Sequence, residues 1–105
     1  MVLIMVTGWL PLDKVTEAAE KYMKVMQKFP PASFEKPLVQ AASTATKDGI
    51  KVISISEIVR GKYEEAMELT LKREAQFYSI KGFRYEIDTL ATLEEALPTI
   101  GMAPP

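Results

Sequence analysis

The order in which hydropathy patterns follow one another constrains this chain more than any single motif. An apolar run over Val2–Trp9, a helical pattern to about Lys28, two strand-like segments around Lys47-Asp48-Gly49, a second helical pattern from Lys62 and a last alternating segment share 105 residues. That succession is βαββαβ, an α+β class chain with one domain over residues 1–105. Right-handed crossovers then give a four-stranded antiparallel sheet in the order 4-1-3-2 with both helices on one face. The opposite face is left for something else to cover.

Each segment carries its own signals. The β-branched run from Val2 reads as a central strand with both faces covered. Asp13 is the expected N-cap of the first helix, whose apolar positions Val15, Ala18, Ala19, Tyr22, Met23 and Met26 recur at three-four spacing. Three prolines between Phe29 and Pro37 require an extended connection. Leu38–Thr46 and Ile50–Val59 then flank Asp48-Gly49, expected as the central pair of a type I′ hairpin, with Thr44 opposite Ile53, Ser43 opposite Ser54 and Ala41 opposite Ser56. The second helix is expected over Lys62 to about Ile80, and the last strand over Phe83–Thr89, where Phe83, Tyr85 and Ile87 alternate with Arg84, Glu86 and Asp88. Thr92-Leu93-Glu94-Glu95 is a capping box opening a short terminal helix, and 101–105 is expected to be loose.

The hairpin has two unlike faces. The branched pair Ile53 and Ile55, with Ala42 and Thr44, is expected to face the helices. Ser43, Ser54 and Ser56 would then share the uncovered face with Leu3, Met5, Thr7 and Trp9 of the first strand and Arg84, Glu86 and Asp88 of the last. Apolar side chains beside small ones that permit close approach suit the packing of a second sheet.

This element order resembles the dimeric α+β barrel superfamily over about residues 2–97, with ferredoxin-like subunits. The resemblance implies a homodimer formed sheet to sheet, with a small-molecule cavity in each subunit. Its members include cofactor-free monooxygenases and isomerases, haem-dependent enzymes and ligand-sensing domains. The chain has no histidine, which argues against the members that use one as haem ligand or catalytic base.

Composition removes much other chemistry. Without cysteine there is no disulfide, thiol nucleophile or thiolate metal site, and no cofactor is expected. Thirteen basic and fourteen acidic residues leave a net charge of −1, which supplies no field for a polyanion, so nucleic acid is not an expected partner. The apolar start lacks a basic leader and is too short to span a bilayer, so the expectation is a cytoplasmic chain with no membrane partner. Lacking histidine, the chain is also expected to hold nearly constant stability between about pH 6 and 8.

The candidate ligand-binding residues are Thr7, Trp9, Ser54, Arg84 and Glu86. Trp9 can stack on a planar ligand, and Thr7 precedes it on the same face. Arg84 can pair with a carboxylate, and Glu86 can act as a base where desolvation raises its pKa. Interface packing accounts for the same Trp9, and half-exposed strand alternation accounts for the charges. With no basic partner in view, Ser43, Ser54 and Ser56 read as packing residues rather than nucleophiles. Glu57, Glu64, Glu65 and Glu68 read as a solvated helix region rather than a metal site, and the Lys21, Lys24 and Lys28 stripe is offset by Glu17 and Glu20. The leading expectation is a homodimeric small-molecule-binding or accessory protein taking a small apolar or carboxylate ligand. The alternatives are a cofactor-independent isomerase or monooxygenase acting on an apolar cyclic substrate, and a structural oligomer without a cavity.

Overall fold

Alternation along the strands decides which side chains meet the helices. The computed structural model describes residues 1–103; Pro104 and Pro105, the end of the expected loose tail, lie outside the described residues. The strands are β1 (Val2–Leu10), β2 (Glu35–Thr46), β3 (Gly49–Ile58) and β4 (Arg84–Ala91), and the helices are α1 (Val15–Lys28), α2 (Tyr63–Ala75) and the short α3 (Leu93–Ala96). The antiparallel sheet has the order β2-β3-β1-β4, which read from the other edge is 4-1-3-2.

Both long helices lie on one face. Leu10 of β1 clusters with Ala18 and Val25 of α1 and with Phe77 and Ile80 beyond α2, while Ile4 of β1 clusters with Ile58 of β3 and Ala66 of α2. These two small cores sit at opposite ends of the helix-covered face. Of the stripe expected for α1, Ala18 is buried and Tyr22 and Met26 are half-buried, Val25 is added as its buried centre, and Val15, Ala19 and Met23 stay exposed at its edge.

The hairpin departs from expectation in register and in face. Thr46 pairs with Gly49, Ser43 with Val52 and Thr44 with Lys51, so the loop is Lys47-Asp48 and not Asp48-Gly49. The Thr46 hydroxyl accepts from Asp48 N at 3.2 Å and donates to Gly49 O at 2.9 Å, which closes the turn without positive φ at Lys47 or Asp48. Gly49 has φ 134°, and a Cβ there would collide with the Leu10 carbonyl. Because β1 pairs Ile4 with Ser56 and Val6 with Ser54, the serines share the helix-facing side. Ile53 and Ile55 pair with Thr7 and Met5 and lie on the open face instead. Side-chain size suggested the opposite assignment; the pairing to β1 overrides it.

Smaller corrections occur at element ends. Asp13 does not cap α1: it lies in a 3-10 turn over Leu12–Lys14, and no side chain caps the helix. α2 stops at Ala75 rather than near Ile80, and successive tight turns lead through Phe77 and Ile80 to β4. The capping box is formed: Glu95 N donates to the Thr92 hydroxyl at 3.3 Å. No helix among the described residues is long and apolar enough to cross a membrane.

Candidate functional site

Between the two small cores the helices stand off the sheet and leave a cavity of about 390 Å3. Its floor is the inward side of β1 and β3: Ile4, Val6, Gly8 and Leu10, with Val52, Ser54, Ser56 and Ile58. Its roof is the α1 stripe from Val15 to Met26 together with Thr70, Arg73, Glu74 and Phe77 from α2 and the segment after it. Gly8 keeps the floor low, since a Cβ there would stand 3.4 Å from the Phe83 ring. Phe77 and Phe83 stack at 5.4 Å between centroids, Phe83 stacks on Tyr85 at 5.8 Å, and Tyr85 on Tyr78 at 6.1 Å. This aromatic row closes the β4 side.

The opposite end is closed by an ion pair. Arg73 donates from Nη1 and Nη2 to the Glu35 carboxylate, each at 2.9 Å, and from Nε and Nη2 to the carbonyls of Phe29 and Pro30 at 3.0 Å. Glu35, whose side chain is 3% exposed, also accepts from Ala32 N at 3.0 Å. A bidentate arginine with backbone acceptors ties the proline-rich loop to α2. Four of the five guanidinium N–H donors are engaged by protein groups.

Glu74, the next residue, is different. Half-buried in the cavity roof, it has no hydrogen-bond or ion-pair partner among the described residues. Burial pushes its carboxyl from 4.5 up to about 7, against the opposing pull of the Arg73 guanidinium. Tyr85 is pushed up to about 12, first by its 2.7 Å hydrogen bond with Tyr78, then by burial and by the charges of Tyr78 and Glu74. A carboxyl whose two protonation states are nearly balanced at neutral pH is suited to exchanging a proton with whatever occupies the cavity.

The wall of β2 is irregular where it borders this space. Pairing shifts between Pro37 and Val39 and again between Val39 and Ala42, and Ala41 takes φ 50°, the one positive φ outside glycine among the described residues. Its N–H leaves the ladder and donates to Ser54 Oγ at 2.9 Å. A bulge of this kind bends the strand and re-aims its neighbours, and bulges are frequent beside binding sites.

Of the candidate residues, Ser54 lines the cavity. Thr7, Trp9, Arg84 and Glu86 do not: they lie on the open face, where Thr7 pairs with Glu86 and Trp9 with Arg84. The structure therefore brings four of them together and separates the fifth by the thickness of the sheet. Trp9 was expected to border a pocket on the face away from the helices, whereas the cavity lies beneath them. Among the described residues no cluster of acids has the geometry to hold a metal ion. Sequence reading passed over Glu74, although its signal was present. Thr70 precedes it by four and Phe77 follows it by three, so a charge stands within an inward stripe.

Fold and site together define an α+β chain whose antiparallel sheet and two helices line an apolar cavity, open on one side, with one unpaired carboxyl among the described residues. No family model matches the chain, and no curated protein matches it. Among solved structures it is similar to the de novo designed protein Foldit4, at 13% identity and TM-score 0.53, over 87% of this chain and 96% of that one. At that identity the likeness concerns the fold alone.

Proposed function

We propose that the chain is a homodimeric small-molecule-binding protein of ferredoxin-like, dimeric α+β barrel type, with one ligand held between sheet and helices in each subunit. The observation that carries the reading is a mostly apolar cavity of about 390 Å3 into which a single unpaired carboxyl is set. Small-molecule sites combine a largely preformed apolar cavity of about 300–1,000 Å3 with few polar groups, and this one is at the small end. Homodimerisation is supported by the open face. Met5, Trp9, Ile53 and Ile55 stand there among Lys51, Arg84, Glu86 and Asp88, so a second copy can meet apolar with apolar and charge with charge. On this reading Thr7, Trp9, Arg84 and Glu86 belong to the dimer interface.

The test is binding of the neutral fluorophore N-phenyl-1-naphthylamine. Saturable binding to the wild type and its loss in Ser56→Phe, which fills the cavity floor, is the expected result. Undiminished binding in a folded Ser56→Phe protein contradicts the cavity as the site.

One observation favours the second reading, a cofactor-independent isomerase. A carboxyl near pH 7 can take a proton from carbon beside a carbonyl and return it elsewhere on the same molecule. Deuterium exchange into 2-tetralone, followed by NMR, should then occur with the wild type and cease in Glu74→Gln. Equal exchange in both proteins removes Glu74 as the base.

A further inference from the structure

The charge inventory of the cavity narrows the chemistry of its ligand. α2 contributes Arg73 and Glu74, β2 contributes Glu35 and α1 contributes Tyr22, while β1 and β3 place no ionisable side chain in the wall. From β4, Tyr85 stands near Glu74 with its hydroxyl bonded to Tyr78. Arg73 is consumed by Glu35 and two carbonyls, and no lysine lines the space. An anionic ligand would find no free cation and would face a like charge. Tyr22, Phe77 and Phe83 line the same cavity, and aromatic faces attract cations.

Resting on the small-molecule reading above, we infer that the cavity takes an apolar primary amine, its ammonium paired with the Glu74 carboxylate and its hydrocarbon body against Val6, Phe77 and Phe83. A carboxylate buried alone is penalised by lost hydration. A neutral ligand leaves that penalty in place, whereas an ammonium offsets it by direct attraction in a site that water screens poorly. Because burial holds the Glu74 carboxyl near 7, pairing with a cation draws off its proton, and affinity for the amine rises with pH through that range.

Calorimetric titration with 3-phenylpropylamine, 3-phenylpropan-1-ol and 3-phenylpropanoic acid separates the terms, since the three differ only in the terminal group. At about pH 8 the amine should bind at least tenfold tighter than the alcohol, and the acid more weakly than either. At about pH 5.5, where Glu74 is mostly protonated, the amine should lose most of that advantage. Glu74→Gln, a neutral isostere, should bind the amine no more tightly than the alcohol at either pH, because it leaves an ammonium in the cavity without a counter-charge. An amine that binds no better than the alcohol, or an advantage that survives in Glu74→Gln, overturns the amine inference and leaves the cavity reading standing. Failure of all three probes to bind overturns both.

Discussion

Arg73 and Glu74 are adjacent in sequence, yet they meet opposite conditions. Arg73 finds a carboxylate and two carbonyls, whereas Glu74 finds hydrocarbon. Arg73→Ala would strand the buried Glu35 carboxylate and should cost about 3–5 kcal/mol in urea unfolding. Arg73→Lys should recover only part of this, because an ammonium cannot reproduce the bidentate fork. For Glu74 the folded-state pKa of about 7 exceeds the ordinary 4.5, so the fold favours the protonated form. Its contribution is therefore fully present below about pH 4.5 and is lost as pH rises through about 7. Wild type should lose on the order of 2–3 kcal/mol over that range relative to Glu74→Gln, and parallel curves for the two proteins would contradict the shift. With Glu74 near 7, stability should fall between about pH 6 and 8 rather than stay flat as the absence of histidine leads one to expect. Residue type does not distinguish Glu74 from Glu64, Glu65 or Glu68; its spacing from Thr70 and Phe77, which places it over the cavity, does.

At the scale of elements, legibility followed the clarity of the period. α1 alternates apolar and charged positions regularly enough that its inward side around Ala18, Tyr22 and Met26 is readable, though not its buried Val25, and β4 separates aromatics from charges clearly. β3 does not: Ile50 and Val52 stand on one face, Ile53 and Ile55 on the other, so hydrophobicity alone cannot orient the strand. The two shifts in β2 pairing are likewise set by tertiary fit and leave no turn signal in the sequence. Paired substitutions test the orientation. Ile58→Ala, at a residue 1% exposed, should cost about 2–5 kcal/mol. Ile55→Ala should cost less than half of that when unfolding is measured at concentrations too low for association, because the residue faces outward. The reverse ranking would restore the orientation expected from side-chain size.

For the whole molecule, the proposed function gives the two faces of the sheet separate tasks, with the cavity on one and association on the other. Ser54→Arg, which the expected register would have aimed at the interface, points into the cavity; Ile55→Arg is the substitution that reaches the open face. Sedimentation should show a wild-type dimer at micromolar concentration and at least about a hundredfold weaker association for Ile55→Arg, since an unpaired charge would be buried between sheets. A monomeric wild type would contradict the dimer. The most direct test of a ligand site beneath the helices uses strand alternation itself, because neighbouring methyl groups report on opposite faces. On titration with 3-phenylpropan-1-ol, the methyl resonances of Ile4, Val6 and Val52 should shift while those of Met5, Ile53 and Ile55 stay in place. Shifts confined to Met5, Ile53 and Ile55 would move the site to the open face beside Trp9 and contradict the account.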